Sequence, residues 1–373
     1  MIKLMCRKIS FFIILFFFFF TSSVDSAILE SGKKNEKNPF GVLAFLPWNH
    51  PWNNYKYSQD DLKKAAALMR ECGISFVRLD FLWNDIESEH GQFDFSKYDH
   101  IVSLLTDNGI EILGLLSYSA DWAGPSWNSP PYKNETFVNY ASMVIERYRD
   151  KVKYWEIWNE PDDEQYWRPQ DGMVRYTSLL KDVYIAAKDI DPDCKILNGG
   201  LSKYITISLK KIYKNGGREY FDILAIHPFV NPLNPIDKAR VKGIYKGCKR
   251  IMKENDDDKK IWFTELGCPG VVSPSKSNSW WLGMSPTEEQ QAEWVKKIYT
   301  EIILQMPDCD KIFWAFFRDC KNYWNNGIDY WGLVRGDFSK KPAFKSYQES
   351  VKLWNESLKY KKPREKLKGI RPN

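Results

Sequence analysis

The chain has 373 residues, is 43% hydrophobic and 16% aromatic, and carries a formal net charge of +6. That apolar content excludes a disordered chain and leaves either one barrel-sized domain or two smaller ones. The charge is local: residues 359–373 hold seven Lys or Arg against one Glu, so the remainder is nearly neutral and offers no basic surface for nucleic acid.

The N-terminus carries Lys3, Arg7 and Lys8, then an apolar run over 11–20, then small residues up to Ala27. This is the pattern of a secretory leader, too short to span a bilayer comfortably. Residues 1–26 are expected to be a cleaved signal peptide and 27–39 a linker, giving a secreted or extracytoplasmic protein. Residues 40–357 form the globular domain, and 358–373 a basic, solvated tail. No stable membrane insertion after cleavage and a monomeric state are expected.

From residue 40 onward, apolar β-type runs alternate with helical patterns. The first strand is predicted over 40–46. A helix over 59–72 follows, opened by Ser58 as N-cap and closed by Gly73. Strands over 74–80, 110–117 and 152–160 come next, with helices over 95–108, 134–150 and 172–189. The second half repeats the rhythm, with strands over 195–198, 221–227, 260–265 and 311–317. Their helices are placed over 206–214, 237–255, 287–305 (capped at Ser285) and 342–352. Eight strand–helix units predict an α/β fold, a single (β/α)8 TIM barrel.

The loops give the barrel its polarity. Those behind the strands are long and rich in aromatic residues, and those in front are as short as Gly73 and Gly109. A TIM barrel carries its active site on the face where the strands end. Two apolar strands end there on a glutamate: Glu160 in Tyr154-Trp-Glu-Ile-Trp-Asn-Glu-Pro161, and Glu265 in Lys260-Ile-Trp-Phe-Thr-Glu-Leu266. Pro161 biases Glu160 towards extended geometry at the strand lip. A carboxylate pair brought face to face is what glycosidic-bond hydrolysis requires. The loop residues Trp48, Trp52, Trp83, Trp122, Trp127, Trp167, Trp280, Trp281, Trp324 and Trp331 suit stacking on sugar rings, several of them serving the core instead.

Six cysteines lie beyond the leader, and an exported chain permits disulfides. Cys268 and Cys320, on neighbouring loops of the catalytic face, are expected to pair. Neither the cysteines nor His50, His90, His100 and His227 follow a metal-ligand spacing, so no metal and no cofactor is expected.

The segments "WEIWNEP" and "WFTELG" resemble the TIM-barrel clan of retaining glycoside hydrolases, clan GH-A. Within it the chain looks most like family 39, whose members include β-xylosidases, α-L-iduronidases and endo-acting exopolysaccharide hydrolases, with family 5 second. The resemblance covers roughly 40–352. It implies a retaining glycosidase acting on an oligo- or polysaccharide, with Glu160 as acid/base and Glu265 as nucleophile. It further implies that Asn159 bonds the sugar 2-hydroxyl and Arg78 sits beside the nucleophile. His227 matches the clan residue ending strand six, and Trp314 the tryptophan that floors the catalytic subsite. Ser117 and Tyr118 stand where some clan families have histidine, and resemble the family 39 pattern more. A catalytically silent sugar-binding barrel and a transglycosylase using the same residues are the alternatives.

Overall fold

The computed structural model describes residues 38–50, 56–273, 281, 283–321 and 328–361. The leader, most of the tail, and Trp52, Trp280 and Trp324 lie outside the described residues.

Strands β1 (Phe40–Leu43), β2 (Phe76–Leu82), β3 (Glu111–Ser117), β4 (Tyr154–Ile157), β5 (Lys195–Asn198), β6 (Ile223–Ile226), β7 (Lys260–Leu266) and β8 (Cys309–Ala315) close into a parallel barrel. Closure is set by Val42 pairing with both Val77 of β2 and Trp314 of β8. The helices are α1 (Gln59–Cys72), a short α2 (Trp83–Ile86), α3 (Ser96–Asp107), α4 (Asn134–Tyr148) and α5 (Val174–Ile190). They continue with α6 (Ile205–Lys214), α7 (Pro235–Glu254), α8 (Glu288–Lys297) and α9 (Pro342–Lys361). The chain is therefore a single (β/α)8 TIM barrel. Among the described residues no helix is long and apolar enough to cross a membrane.

The ends of α1 fall as the sequence predicts. Ser58 and Asp61 form a reciprocal capping box, and Gly73 closes the helix in left-handed geometry at φ 82°. The later helix differs: Thr287, not Ser285, caps α8, because Gln290 stands three residues on to return the bond. That helix then ends in a π turn (Ile298–Ile302) and a 3-10 turn (Ile303–Gln305). A short antiparallel pair, β9 (Cys320–Lys321) and β10 (Ile328–Asp329), decorates the loop after β8.

Strand alternation divides the barrel into two zones. Inward residues near the strand starts are apolar: Phe76, Leu113, Tyr154, Trp262 and Phe313 pack together, with Lys311 Nζ 4.3 Å from the Phe76 ring. Two residues further along the same strands the inward positions turn polar, Phe76 giving way to Arg78, Tyr154 to Glu156 and Trp262 to Thr264. A filled apolar plug therefore lies beneath a polar layer.

The outward face carries the larger core, where the strands meet the helices. Trp155 of β4 lies against Gly114 of β3, where an added Cβ would overlap the indole and also approach Phe81 at 3.2 Å. Gly114→Ala is expected to cost about 1–3 kcal/mol through overpacking. Urea denaturation of the variant checks this, and an unchanged midpoint would mean the strands have room to separate.

Candidate active site

Chain geometry first places Glu160. Strand β4 stops at Ile157, and Trp158 and Glu160 both take left-handed backbone, at φ 68° and 47°. The expected extended conformation before Pro161 is thus not adopted. Such geometry costs about 1–3 kcal/mol per residue and persists only where neighbours enforce it. Here they do: Trp158 N–H donates to Leu116 O at 2.8 Å, its indole to Tyr166 O at 2.8 Å, and Glu160 O accepts from Asp163 N–H at 2.9 Å. The outcome aims the Glu160 side chain at the barrel axis.

Glu265 arrives by another route. On a regular strand only one of Thr264 and Glu265 would face inward. The β7–β8 register slips between Phe263 and Leu266, a bulge that lets both side chains reach the axis.

Arg78, fully buried on β2, organises what meets there. Its Nε donates to Glu156 Oε2 at 2.6 Å, Nη1 to Glu265 Oε1 at 2.6 Å and Nη2 to Asn159 Oδ1 at 2.9 Å. Glu156 Oε1 also accepts from Gly200 N–H at 2.8 Å and from the Thr264 hydroxyl at 3.0 Å. Because that hydroxyl gives its only proton to Glu156, its oxygen accepts from His227 Nε2–H at 3.0 Å. The bond chain thus assigns His227 the neutral Nε2–H tautomer, which leaves Nδ1 as an acceptor 2.6 Å from Glu160 Oε1. Burial also pushes His227 down from its usual range, consistent with the neutral ring.

The two carboxyls consequently differ. Glu160 is pushed up to about 8, first by burial and then by the charges of Asp162 and Asp163. Its partner on His227 is an acceptor, which suits the protonated acid. Glu265 is also raised by burial, but the Arg78 guanidinium opposes the shift. Of the pair, Glu265 is the one bonded to a guanidinium, which favours its ionised form. Donor atoms of Glu160, His227 and Glu265 lie within 4.8 Å of one another. Three such ligands could hold a cation, but Arg78 already supplies the positive charge to Glu265.

Above them opens a cavity of about 1090 Å³ at the C-terminal end of the strands. Arg78, Asn159, Glu160, His227 and Glu265 all line it, so the structure brings together five of the six sequence-predicted residues. Trp314 is the exception. It sits one position past the inward Phe313, packs in the outer core, and donates its indole N–H to Trp331 O at 3.0 Å. Phe316, just beyond the end of β8, lines the cavity. Trp158 lies in the outer core and Trp262 in the plug.

Of the loop tryptophans, Trp48, Trp83, Trp127 and Trp281 line the cavity, whereas Trp167 and Trp331 are buried in the core and Trp122 packs against it. The expected Cys268–Cys320 disulfide does not form; both side chains are buried and unbridged. The neighbouring loops are instead tied by buried Lys341, which donates to the carbonyls of Gly270 and Tyr330, each at 2.9 Å, and faces Asp319 at 3.3 Å. The sequence offers Asp80 only as a possible partner of Arg78, a place that Glu156 and Glu265 take, and does not single out Thr264 or Phe316. Period-2 counting from Arg78 finds Asp80 and adjacency to Glu265 flags Thr264, but nothing local flags Phe316.

The glycoside hydrolase family 42 model, described as beta-galactosidase, matches residues 52–132. Endo-1,4-beta-xylanase 3 of Hypocrea jecorina is 25% identical over 36% of this chain and 40% of its own length. Endo-1,4-beta-xylanase A of Phanerodontia chrysosporium is 31% identical over 31% of this chain and 29% of its own. The chain thus spans less than half the length of these curated relatives. A solved family 39 glycoside hydrolase from Bacteroides cellulosilyticus WH2 superposes with a TM-score of 0.66 at 21% identity, covering 86% of this chain and 64% of that one. A monomeric beta-xylosidase from Caulobacter crescentus CB15 gives 0.62 at 16% identity, covering 83% and 67%. Fold, paired glutamates and these matches define a class: the chain is similar to the clan GH-A glycoside hydrolases. Solved family 39 enzymes are among the structures that share its fold.

Removing the central cation tests the geometry without reference to turnover. Arg78→Met leaves Glu156 wholly buried with no counter-charge, so a loss of about 3–5 kcal/mol is expected. Urea denaturation at neutral pH reads it, and a change within 1 kcal/mol would show that Arg78 does not balance the cluster.

Proposed function

We propose that this chain is a secreted, monomeric, retaining glycosidase that hydrolyses an oligo- or polysaccharide by double displacement. The observation carrying the reading is the pair of glutamates whose oxygens lie within 4.8 Å, one in surroundings that keep its proton and one bonded to a guanidinium. Retention calls for carboxyls about 5–5.5 Å apart, inversion about 6.5–9.5 Å. Several relatives are named for β-linked substrates, which supports a β-glycoside. The leader-like residues 1–26 support export.

In the first step Glu265 attacks the anomeric carbon while Glu160 gives its proton to the departing oxygen. The C–O bond breaks and a glycosyl ester forms on Glu265. Glu160, now a carboxylate, takes a proton from water as that water attacks the ester and frees Glu265. Arg78 orients Glu265 for the first attack and receives it again at the end.

Incubation with an activated 2-deoxy-2-fluoro-β-glycoside, followed by peptide mass spectrometry, tests the reading. The expected result is one fluoroglycosyl group on the peptide bearing Glu265 and product of retained configuration; inverted product refutes the mechanism. Glu160→Gln is expected to lower kcat about 10²–10⁴-fold on substrates with poor leaving groups. Nitrophenyl glycosides, which need little protonation, lose far less, and azide restores turnover to Glu160→Ala.

The pH profile has a defined sign. Glu160 acts in its protonated form and its pKa stands near 8, so kcat/KM falls as pH rises through about 8. A basic limb near 5 would show that Glu160 is solvated and not the acid.

A further inference from the structure

Asp80 stands two residues beyond Arg78 on β2, on the same inward face, and lines the cavity while only 3% exposed. The indole N–H of Trp48 donates to its Oδ2 at 2.6 Å, and its Oδ1 makes no hydrogen bond among the described residues. Among the described residues no cation bonds it either. The guanidinium of Arg78 spends its bonds on Glu156, Glu265 and Asn159. The contrast with Asp85 on the same rim is sharp, since Asp85 is held by Lys97 at 2.7 Å, His50 at 2.6 Å and the Tyr98 hydroxyl at 3.1 Å. A buried carboxylate left half-satisfied is costly, and here the open oxygen faces the cavity. Burial pushes its pKa up to about 6, against the opposing pull of the nearby Arg78 charge and the Trp48 hydrogen bond.

Its position fixes which sugar it meets, given the mechanism above. Glu160 protonates the bridging oxygen, so the leaving group lies on the side of the loop after β4, towards Asp163, Gln165 and Tyr166. The ring that holds the anomeric carbon then lies over Arg78 and Glu265, towards β1, β2 and β8. Asp80 is on that side, beside Trp48, whose ring packs 4.6 Å from Phe45, which in turn packs 4.9 Å from Phe316.

We propose that Asp80 is a hydroxyl-accepting residue of the glycone subsite, binding hydroxyls of a neutral sugar and rejecting uronic or phosphorylated glycones. A carboxylate is acceptor-only and has lone pairs on both oxygens, so it can take two neighbouring sugar hydroxyls at once. A sugar carboxylate or phosphate in the same place brings a second negative charge into a buried site that has no cation to spare.

The test crosses Asp80→Ala and Asp80→Asn with nitrophenyl β-glycosides and their singly deoxygenated analogues. In the wild type, removing the hydroxyl that Asp80 binds is expected to lower kcat/KM about 10- to 100-fold, the range for a hydrogen bond to a charged group. Asp80→Ala is expected to lose a similar factor on the parent glycoside and nothing further on that one analogue. The matching glucuronide and 6-phosphoglycoside are turned over at background by the wild type and measurably by Asp80→Asn. If every deoxy analogue loses as much with Asp80→Ala as with the wild type, or if a charged glycone is preferred, the proposal fails.

The same substitutions are made in a Glu265→Gln background and read as affinity for cellobiose and xylobiose by calorimetry. This separates the two readings. Loss of affinity with Asp80→Ala supports the subsite even where turnover is never found. Unchanged affinity in an enzyme that labels on Glu265 overturns Asp80 alone. Asp80→Asn preserves shape and covers the case in which the alanine variant does not fold.

Discussion

The structure turns on the guanidinium of Arg78. Its bonds to Glu156, Glu265 and Asn159 draw together strands β2 and β7 and the segment leaving β4. Glu156 then extends the order outward, through Thr264 to His227 and so to Glu160, and through Gly200 to the loop after β5. An added Cβ at Gly200 would overlap the His227 ring, so even the backbone is shaped to seat that imidazole. Several buried charges would be costly singly; clustered around one cation they satisfy each other and fix one geometry.

From that cluster comes the asymmetry on which the chemistry depends. Two glutamates of similar burial are given opposite neighbours, a donor for Glu265 and an acceptor for Glu160. The strained backbone at Trp158 and Glu160 and the bulge before Leu266 serve the same end, since neither side chain would reach the axis from regular strands. The apolar plug of Phe76, Tyr154, Trp262 and Phe313 beneath carries the packing, leaving the upper layer to be polar.

Much of this was legible in the sequence. The alternation of apolar strands with amphipathic helices gives the barrel, and the Trp-Asn-Glu-Pro and Phe-Thr-Glu-Leu endings give the glutamates. Arg78, Asn159 and His227, taken from the resemblance, line the cavity. What was not legible depends on backbone geometry. Trp314 was assigned to the cavity, yet strand parity turns it outward, and Phe316 beyond the strand end takes a place there. The left-handed Glu160 contradicts the local preference before proline, because tertiary bonds outweigh it. The Cys268–Cys320 pairing was inferred from neighbouring loops, but loop adjacency does not set the Cβ geometry a disulfide needs, and Lys341 ties those loops instead.

The central claim is that Glu160 and Glu265 work as one electrostatic unit, and a carbon NMR titration of labelled glutamate measures it directly. Glu160 is followed in the wild type and in Glu265→Gln, where the neighbouring charge is removed but the shape is kept. The account predicts a lower pKa for Glu160 in the variant, because losing its proton no longer places two negative charges within a few ångströms. An identical titration in both proteins would mean that the two groups do not sense each other, and would contradict the pairing.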